Sequence, residues 1–413
     1  MFPSLFKSAQ FSSSKRHLRR PAVNEVTDLM IQSRIVLHFP GFEPLDAEAH
    51  RQRYKRSAAQ ASAVWRAQFN VDNLTLDAQG AHFSVDSHGE GWATRSQIHV
   101  FDHNALISTM RAEPLWMQIA KGFKAGSDVV WQGGAWGYFR HAWRFGLFFL
   151  FPFLFLAAGL ALAVNIAAIP SAFDLSSWWL LLSLPSGCLV FRHGVIPFSE
   201  RYHVMHLLAD WRLAVAVAEN RQEVDAFIEL AAGEAAAALE GPADEILVTS
   251  HSMGANFAIS VIARLLEKSP DALEGRRLVF VTLGGAALQC SLLSSASLLR
   301  QRIGALARHP SIDWFDIQCL TDPIHLYKCH TVALSGHAEA PQPKLVFIRF
   351  KHALSAERYQ KNRRDFLRMH RQYVLGPDQP SGFDFTLMTA GPLPALSFKT
   401  LDSVTAPKLQ APS

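Results

Sequence analysis

The feature that most constrains the fold is the stretch 244–257, DEILVTSHSMGANF. Its apolar run at 246–248 predicts a buried strand, and the alanine-rich pattern after Gly254 predicts a helix. The sharp turn between them centres on Ser252. A serine in such a turn has strained backbone angles and holds its hydroxyl above the sheet, and small residues two positions before and after it let strand and helix pass closely. The usual pattern is G-x-S-x-G, and the small side chain of Ser250 fits in place of the first glycine.

The same residues are also typical of an ordinary strand-to-helix turn capped by a serine. A second stretch favours a nucleophilic serine. Residues 31–42, IQSRIVLHFPGF, contain a β-rich run at 35–39 that stops at Pro-Gly. A strand that ends in His-x-Pro-Gly, followed much later by the serine turn, resembles the α/β-hydrolase superfamily, particularly its lipase and esterase branches. The resemblance covers roughly residues 31–102 and 200–375.

This resemblance implies an α/β fold with a mostly parallel sheet and flanking helices, and it implies roles for particular residues. Ser252 is the expected nucleophile. Two backbone N–H groups form the oxyanion hole in that family, and by resemblance these belong to Gly41 or Phe42 and to Met253. The acid of the family follows the second strand after the nucleophile strand, which places it at Asp322, where Thr-Asp-Pro ends a predicted strand.

Asp316 competes with Asp322 for the role of acid, but it lies inside the predicted strand. Two histidines compete for the role of base. His352 directly follows the last predicted strand, KLVFIRF, as simple topology requires. His370 lies about one helix later, in FLRMHRQYVLGPDQPSGFDFTLMTAGP, which resembles a portion of membrane-anchored bacterial hydrolase-like proteins in which a histidine before an aromatic-leucine pair recurs. The resemblance favours His370, with His352 as the alternative base, and His251 is expected only to pack or to tune the site.

Two apolar runs predict a transmembrane hairpin. Residues 145–169 form an uncharged run of about 25 residues, enough to cross a hydrocarbon core of about 30 Å at 1.5 Å per residue. Residues 170–174 make a turn, and 175–191 supply a second, shorter run. Tryptophans before the first run and at the turn match the aromatic belts of membrane interfaces. The alternative is a buried helical pair or a hydrophobic lid.

The basic flanks predict the orientation of this hairpin. Arg140 and Arg144 precede it and Arg192 and Arg201 follow it, whereas the connecting turn has no Lys or Arg. By the positive-inside rule, both chain ends are then cytoplasmic. The expectation is an integral membrane protein with two spans, in the bacterial inner membrane by resemblance, whose hydrolase-like halves lie on one side.

The composition is also consistent with a membrane protein, because only 18% of the 413 residues are charged, against roughly 25% in an average soluble protein. The basic N-terminus suits an anionic membrane surface, and a mitochondrial transit peptide has a similar composition. The chain is therefore expected to divide into a basic flexible tail at 1–30, the first part of the hydrolase domain at 31–140, the hairpin at 141–195, the second part at 196–378 and a C-terminal tail at 379–413.

Further patterns predict helices over 47–69, 105–123 and 200–240, the last lying partly along the membrane surface, and short strands over 82–86 and 97–102. The four cysteines and 18 histidines show no metal-ligand spacing, so no metal and no cofactor are expected. No Walker, dinucleotide-binding or nucleic-acid-binding pattern occurs, so no nucleic acid partner is expected.

Two functional hypotheses follow. The first is a membrane-anchored serine hydrolase that cleaves a carboxylic ester through an acyl-enzyme. Its location favours a lipid ester, with a thioester or an amide as the alternative substrates. The second is a catalytically inactive, hydrolase-like membrane protein that serves as a binding or assembly module, motivated by the altered serine turn and the two competing histidines.

Overall fold

The computed structural model describes residues 30–400, 406, 407 and 409. The basic tail predicted at 1–30 therefore lies outside the described residues, apart from Met30. Within the described part, nine strands form one sheet: β1 Ser33–Phe39, β2 Gln68–Val71, β3 Thr75–Asp77, β4 Gly80–Gly89, β5 Trp92–Val100, β6 Glu245–His251, β7 Leu278–Leu283, β8 Ile312–Cys319 and β9 Lys344–Ile348.

The sheet is mostly parallel. Its strand order is β2-β4-β5-β1-β6-β7-β8-β9, with β3 paired to β4. All neighbours from β5 to β9 run parallel, whereas β2, β3 and β4 form an antiparallel extension. Because β1 lies between β5 and β6, segments far apart in the chain, before and after the apolar runs, build a single sheet. The predicted α/β class with a mostly parallel sheet is confirmed.

Helices flank this sheet. They are α1 Ala47–Trp65, α2 Asn104–Arg111, α3 Leu115–Trp131, α4 Gly134–His141, α5 Trp143–Ala172, α6 Leu180–Leu189, α7 Ile196–Glu200, α8 Val204–Ala218, α9 Gln222–Ala238, α10 Gly254–Lys268, α11 Ala287–Ser291, α12 Ser297–Arg308, α13 Thr331–Leu334, α14 Ala356–Asn362, α15 Phe366–His370 and α16 Phe385–Ala390. Short 3-10 turns occupy Ser177–Trp179, Pro270–Leu273, Phe350–His352, Arg371–Val374 and Ala395–Lys399.

Two hydrophobic cores lie on opposite faces of the sheet, because successive side chains of a strand point to opposite sides. In β1, Ile35, Leu37 and Phe39 join the core formed with α8, α9 and α10. Val36 joins the other core, formed with α1 and α16. These four side chains are at most 3% exposed. Central strands buried on both faces explain the continuous apolar runs of the sequence.

Two helices are long and apolar enough to cross a membrane: α5 and the helix Ser177–Glu200, which contains α6, a π-helical turn and α7. Small residues bring them together. A Cβ on Gly187 would come 2.6 Å from the carbonyl oxygen of Ala163, and the Ser183 hydroxyl donates to the carbonyl of Ala167 at 2.9 Å. Large apolar side chains cover their outer surface, as in Leu160, Leu162, Trp178, Leu181 and Leu182.

The first turns of α5 belong to the globular domain. Phe145 and Phe149 are at most 1% exposed, and their rings pack on Trp211 of α8 at centroid distances of 5.9 and 4.8 Å. α8 itself is almost entirely buried, including Leu207 and Leu213. The prediction that this part of 200–240 lies along the membrane surface is therefore wrong for α8, because most of its residues lie in the core, with Asp210 buried and His206 and Arg212 half-buried.

Some predicted elements differ from the observed ones at their ends. The helix predicted over 105–123 is two helices, α2 and α3, because Pro114 interrupts the hydrogen-bonding pattern. The strands predicted over 82–86 and 97–102 are the longer β4 and β5, which form a hairpin. Asp102, two residues after β5, accepts a hydrogen bond from the Asn104 N–H at 3.1 Å in the turn that leads to α2.

Residues 379–400, assigned by sequence to a C-terminal tail, pack into the second core through α16 and the 3-10 turn after it. A buried ion pair holds them. Arg34 Nε lies 2.6 Å from Glu245 Oε2, and the Arg34 guanidinium also donates to the carbonyls of Gly391 and Leu393 at 2.9 and 2.7 Å. Glu245 Oε1 accepts from the Ala395 N–H at 2.7 Å. These contacts join residues more than 100 positions apart, which no local pattern reveals.

Candidate functional site

The turn after β6 holds Ser252 in an unusual backbone conformation. Its φ is +52°, in the left-handed region that non-glycine residues rarely adopt. Two backbone hydrogen bonds to the neighbouring strand end keep it there: the Ser252 N–H donates to Leu283 at 3.2 Å, and its carbonyl accepts from Ala286 at 3.0 Å. Such a conformation costs on the order of 1–3 kcal/mol and is found disproportionately at functional sites.

The small residues around this serine are sterically required. A Cβ on Gly254 would overlap the carbonyl oxygens of Phe39 and Pro40 at the end of β1. α10 can therefore start directly over β1 only from a glycine. Ser250, which replaces the first glycine of the usual pattern, is fully buried in β6, as its size allows.

Four loops converge on the carboxyl-terminal edge of the parallel strands, where ligands of open α/β sheets bind. Gly41 follows β1, Ser252 follows β6, Gly284 follows β7 and Asp322 follows β8. A Cβ on Gly41 would lie 3.2 Å from the Ser252 Cβ, and a Cβ on Gly284 would lie 3.2 Å from Asp322 Oδ2. The structure thus brings the predicted residues to one place.

His370 reaches this edge from the end of α15. Its Nδ1 lies 2.7 Å from Asp322 Oδ2. The turn that follows α15 is fastened to the sheet because the hydroxyl of Tyr373 accepts from the Cys319 N–H, at the end of β8, at 2.8 Å. On the other side, His251 Nε2 donates to the His370 carbonyl at 3.0 Å, and the two rings lie 4.6 Å apart.

The environment of Asp322 keeps it ionised. Burial alone would raise the pKa of its carboxyl, but the neighbouring His370 and His325 rings and their hydrogen bonds outweigh burial and hold that pKa below its usual range. His325 Nδ1 is 3.1 Å from Asp322 Oδ2, and the Ile324 N–H donates to Oδ1 at 3.0 Å. An ionised carboxylate only accepts hydrogen bonds, so His370 donates from Nδ1, which leaves Nε2 on the far side of the ring for another partner.

His370 and Ser252 line the same narrow pocket, whose cavity volume is about 30 Å³. His370 Nε2 is buried and has no hydrogen-bond partner among the residues described. No hydrogen bond joins it to the Ser252 hydroxyl within that part of the chain. Ser252 and His370 therefore border one pocket without a hydrogen bond between them, as is common for catalytic groups in the absence of substrate.

The competing residues lie elsewhere. His352 ends the 3-10 turn after β9 and does not line the pocket. Asp316 stays inside β8, where its carboxylate accepts from the Thr282 hydroxyl at 2.8 Å and the Gln318 amide at 2.7 Å. Burial raises the pKa of Asp316 to about 6, partly offset by these bonds. Geometry therefore pairs Asp322 with His370 and separates both competitors from the serine.

The expected oxyanion donors also border the pocket. Gly41 and Phe42 line it beside Ser252, and Met253 follows the serine at the start of α10. In the described chain, the backbone N–H groups of Phe42 and Met253 have no hydrogen-bond acceptor. Both are thus available to a developing negative charge on a bound substrate.

Four polar residues of the pocket were not predicted from the sequence: Glu43, His206, Asp210 and Arg371. Glu43 is shared by two arginines, with Arg371 Nε at 2.5 Å and Arg53 Nη1 at 2.6 Å. Burial raises the pKa of Asp210 to about 6, against a hydrogen bond from the Gln289 amide at 3.0 Å. One signal was available, because Asp210 is an isolated acid in the apolar run of α8.

Apolar side chains complete the pocket, and one of them, Phe148, comes from α5. Among the described residues, no group of three or more His, Cys, Asp or Glu side chains is arranged to hold a metal ion. The donor set suits proton transfer and hydrogen bonding to an uncharged acyl group. No protein-family model, no curated protein and no solved structure matches the chain.

Proposed function

We propose that the protein is a membrane-anchored serine hydrolase of the α/β-hydrolase type, which cleaves carboxylic esters of lipids. The observation that carries the proposal is the buried pair His370–Asp322, with a 2.7 Å contact, in the same pocket as a serine held at φ +52°. A serine hydroxyl is a weak nucleophile and requires a base that is itself oriented by a third group. The strand order also supports this assignment, because β1 beside β6 places Gly41 next to the serine.

The chemistry follows from these groups. His370 Nε2 takes the proton of the Ser252 hydroxyl as its oxygen attacks the ester carbonyl, and Asp322 stabilises the imidazolium. The N–H groups of Phe42 and Met253 bind the oxyanion. The imidazolium then protonates the departing alcohol. Water, deprotonated by the same histidine, attacks the acyl-serine and releases the carboxylic acid.

Membrane insertion of the two apolar helices is part of the proposal. Their contact uses small residues four apart, Gly159, Ala163 and Ala167, with large apolar side chains outside, the arrangement typical of packed spans in lipid. The proposed membrane is the bacterial inner membrane. With both helices inserted in it, both chain ends lie in the cytoplasm. A pocket that includes Phe148 of α5 lies where lipid esters are most concentrated.

The decisive experiment is labelling of the purified full-length protein with a fluorophosphonate, which phosphonylates an activated serine with loss of fluoride. We expect one label, on Ser252, and none in Ser252→Ala. Ser250→Ala, a neighbouring buried serine, is the matched control and retains labelling. Hydrolysis of a short-chain nitrophenyl ester falls about 10³-fold or more in Ser252→Ala.

The second candidate is an inactive binding or assembly module. The absence of a Ser252–His370 hydrogen bond within the described residues favours it. Wild-type protein that is folded, is not labelled and hydrolyses no ester above the rate of Ser252→Ala would establish this alternative and end the enzyme proposal.

A further inference from the structure

A row of aromatic rings begins at the serine pocket and follows the apolar helices away from it. Phe148 of α5 lines the pocket with Ser252 and His370. Its ring lies 5.9 Å from that of Phe366, which starts the short helix α15 that carries His370. The row therefore starts within one helical turn of the histidine that we propose as base.

The row continues along one side of α5. Phe151 lies 6.5 Å from Phe366 and 6.3 Å from Tyr202. Phe155 lies 5.9 Å from Tyr202 and 6.0 Å from Phe198. Positions 148, 151 and 155 share one face of a helix, and they span about 10 Å along its axis.

These rings are not a closed core. The rings on α5 and α15 are half-buried, and at the outer end Phe198 is 48% and Tyr202 42% exposed. At the inner end, the pocket adds Leu207, Ile324 and Leu367. The row is thus an open, apolar surface that is continuous with the pocket at one end and with the lipid-facing part of the helices at the other.

We propose that this aromatic track, formed by Phe148, Phe151, Phe155, Phe198, Tyr202 and Phe366, binds the long acyl chain of the substrate and guides it laterally from the bilayer to Ser252. The proposal rests on the proposed function and adds its substrate class, esters of long-chain fatty acids. Continuity with the pocket and the uncharged rings along α5 favour an acyl chain over a protein partner, and the Arg201 guanidinium, 6.0 Å from the Phe198 ring, lies at the outer end of the row. Its carbonyl would reach the serine while its methylenes cover the rings.

The test compares two nitrophenyl esters that share the scissile bond, one with a 4-carbon and one with a 16-carbon acyl chain, on the full-length protein in lipid nanodiscs. In Phe151→Ala and Phe155→Ala, we expect kcat/KM for the 16-carbon ester to fall about tenfold, as loss of an aromatic contact implies. The rate for the 4-carbon ester should stay within twofold, which also shows that the site is folded. Phe151→Leu should recover most of the loss.

The matched controls are Leu147→Ala and Leu154→Ala, exposed apolar residues of the same helix outside the row. Both should leave the two rates unchanged. If kcat/KM falls equally for both esters in the phenylalanine variants, the six rings only pack the fold. If the leucine variants lose as much activity on the 16-carbon ester as the phenylalanine variants do, any exposed apolar residue of the helix has the same effect. Either result overturns the proposal.

A binding measurement separates this inference from the enzyme proposal. Ser252→Ala protein in the same nanodiscs is irradiated with a palmitate ester that carries a diazirine near its chain end. Crosslinks at residues 148–155, reduced in Phe151→Ala, support the track even if no hydrolysis occurs. Crosslinks spread over the exposed outer face of the helices, with no effect of Phe151→Ala, refute it whether or not Ser252 is labelled by fluorophosphonate.

Discussion

His370 and His352 differ by what surrounds them. The ring of His370 is 4% exposed, contacts Asp322 at 2.7 Å and borders the pocket of Ser252. His352 follows the edge strand β9, and its carbonyl accepts a hydrogen bond from the Gln379 amide at 3.0 Å, away from the pocket.

Replacement of each histidine by alanine therefore has different results. His370→Ala should abolish fluorophosphonate labelling of Ser252 and lower ester hydrolysis about 10³-fold, because the serine loses its base. His352→Ala should keep labelling near the wild-type level. Mass spectrometry of the labelled peptide gives the comparison directly. Loss of labelling in His352→Ala alone would contradict the geometry on which the assignment rests.

The serine turn and Asp322 were predictable at this scale, because each follows a strand end within a few residues. His370 was favoured over His352 only by the resemblance, since its contact with Asp322 joins residues 48 positions apart and depends on where α15 folds back, which no local pattern shows. Glu43 and Arg371 were missed for the same reason, as only the folded chain brings them together. Whether these residues catalyse a reaction stays a prediction.

At the scale of elements, the contact of α10 with β1 fixes the turn. A Cβ on Gly254 would overlap two carbonyl oxygens, whereas a Cβ on Gly233, in the middle of α9, would have no neighbour within 4 Å. Both glycines lie in helices, so helix propensity alone favours alanine at each by up to about 1 kcal/mol. The difference in stability between the two alanine variants therefore measures the steric clash of a Cβ at position 254 with the end of β1.

We expect Gly233→Ala to leave the unfolding temperature unchanged or higher and Gly254→Ala to lower it markedly, by several degrees or more, because the backbone carbonyls of β1 cannot move aside. Circular dichroism melts of the two variants in one detergent provide the measurement. Equal melting temperatures would mean that α10 does not rest on β1 as described.

The sequence predicted the central strands well because they are apolar, short and bounded by turns. It failed where charge is buried. Arg34 and Glu245 contradict the usual pattern of a buried strand, and their contacts draw residues 391–395 into the core. Five prolines and glycines interrupt residues 379–400, so no helical or strand periodicity marks the segment, although its apolar side chains, among them Phe383 and Leu387, join the core.

For the whole molecule, buried histidines link stability to pH. Burial, the largest effect at each, lowers the pKa of His38, His50 and His206 to about 3 and that of His99 and His103 to about 4. In the unfolded chain these rings titrate near 6.5. Below that pH the unfolded state binds more protons than the native state, so the native state loses free energy of unfolding as pH falls toward 4.

Each ring contributes up to about 1.4 kcal/mol per pH unit in this window. The raised pKa of Asp210 and of Asp316, each about 6, acts in the opposite direction, because the native state binds those protons first. Five histidines against two carboxyls leave a net loss of stability as pH falls. We expect the unfolding temperature to be constant above pH 7 and to fall steeply from pH 6.5 to 5. His103→Phe should make this slope shallower, because the His103 ring stacks on Phe257 and neither of its nitrogens has a hydrogen-bond partner among the residues described. An identical slope in the variant would show that other groups dominate the acid response.

The division between anchor and domain can be tested by two deletions. Removal of residues 145–191 takes away Phe145 and Phe149, which lie in the core, so this variant should not fold. Replacement of residues 158–193 by a short Gly-Ser linker keeps Leu156 and Ile196, whose contact forms a small core with α8. The two apolar helices touch at Gly159 and Val195. The chain ends left by the deletion are therefore close together, and a short linker can join them.

The shorter deletion should give a protein that is soluble without detergent, is labelled at Ser252 and hydrolyses the 4-carbon ester at the wild-type rate. Its activity on long-chain esters embedded in vesicles should fall at least tenfold relative to that rate, since each acyl CH₂ that must leave the bilayer costs about 0.8 kcal/mol. Sedimentation with vesicles and the ratio of the two rates are the measurements. An unchanged ratio would mean that the helices only locate the protein at a membrane, and the argument for a lipid ester would lose its main support.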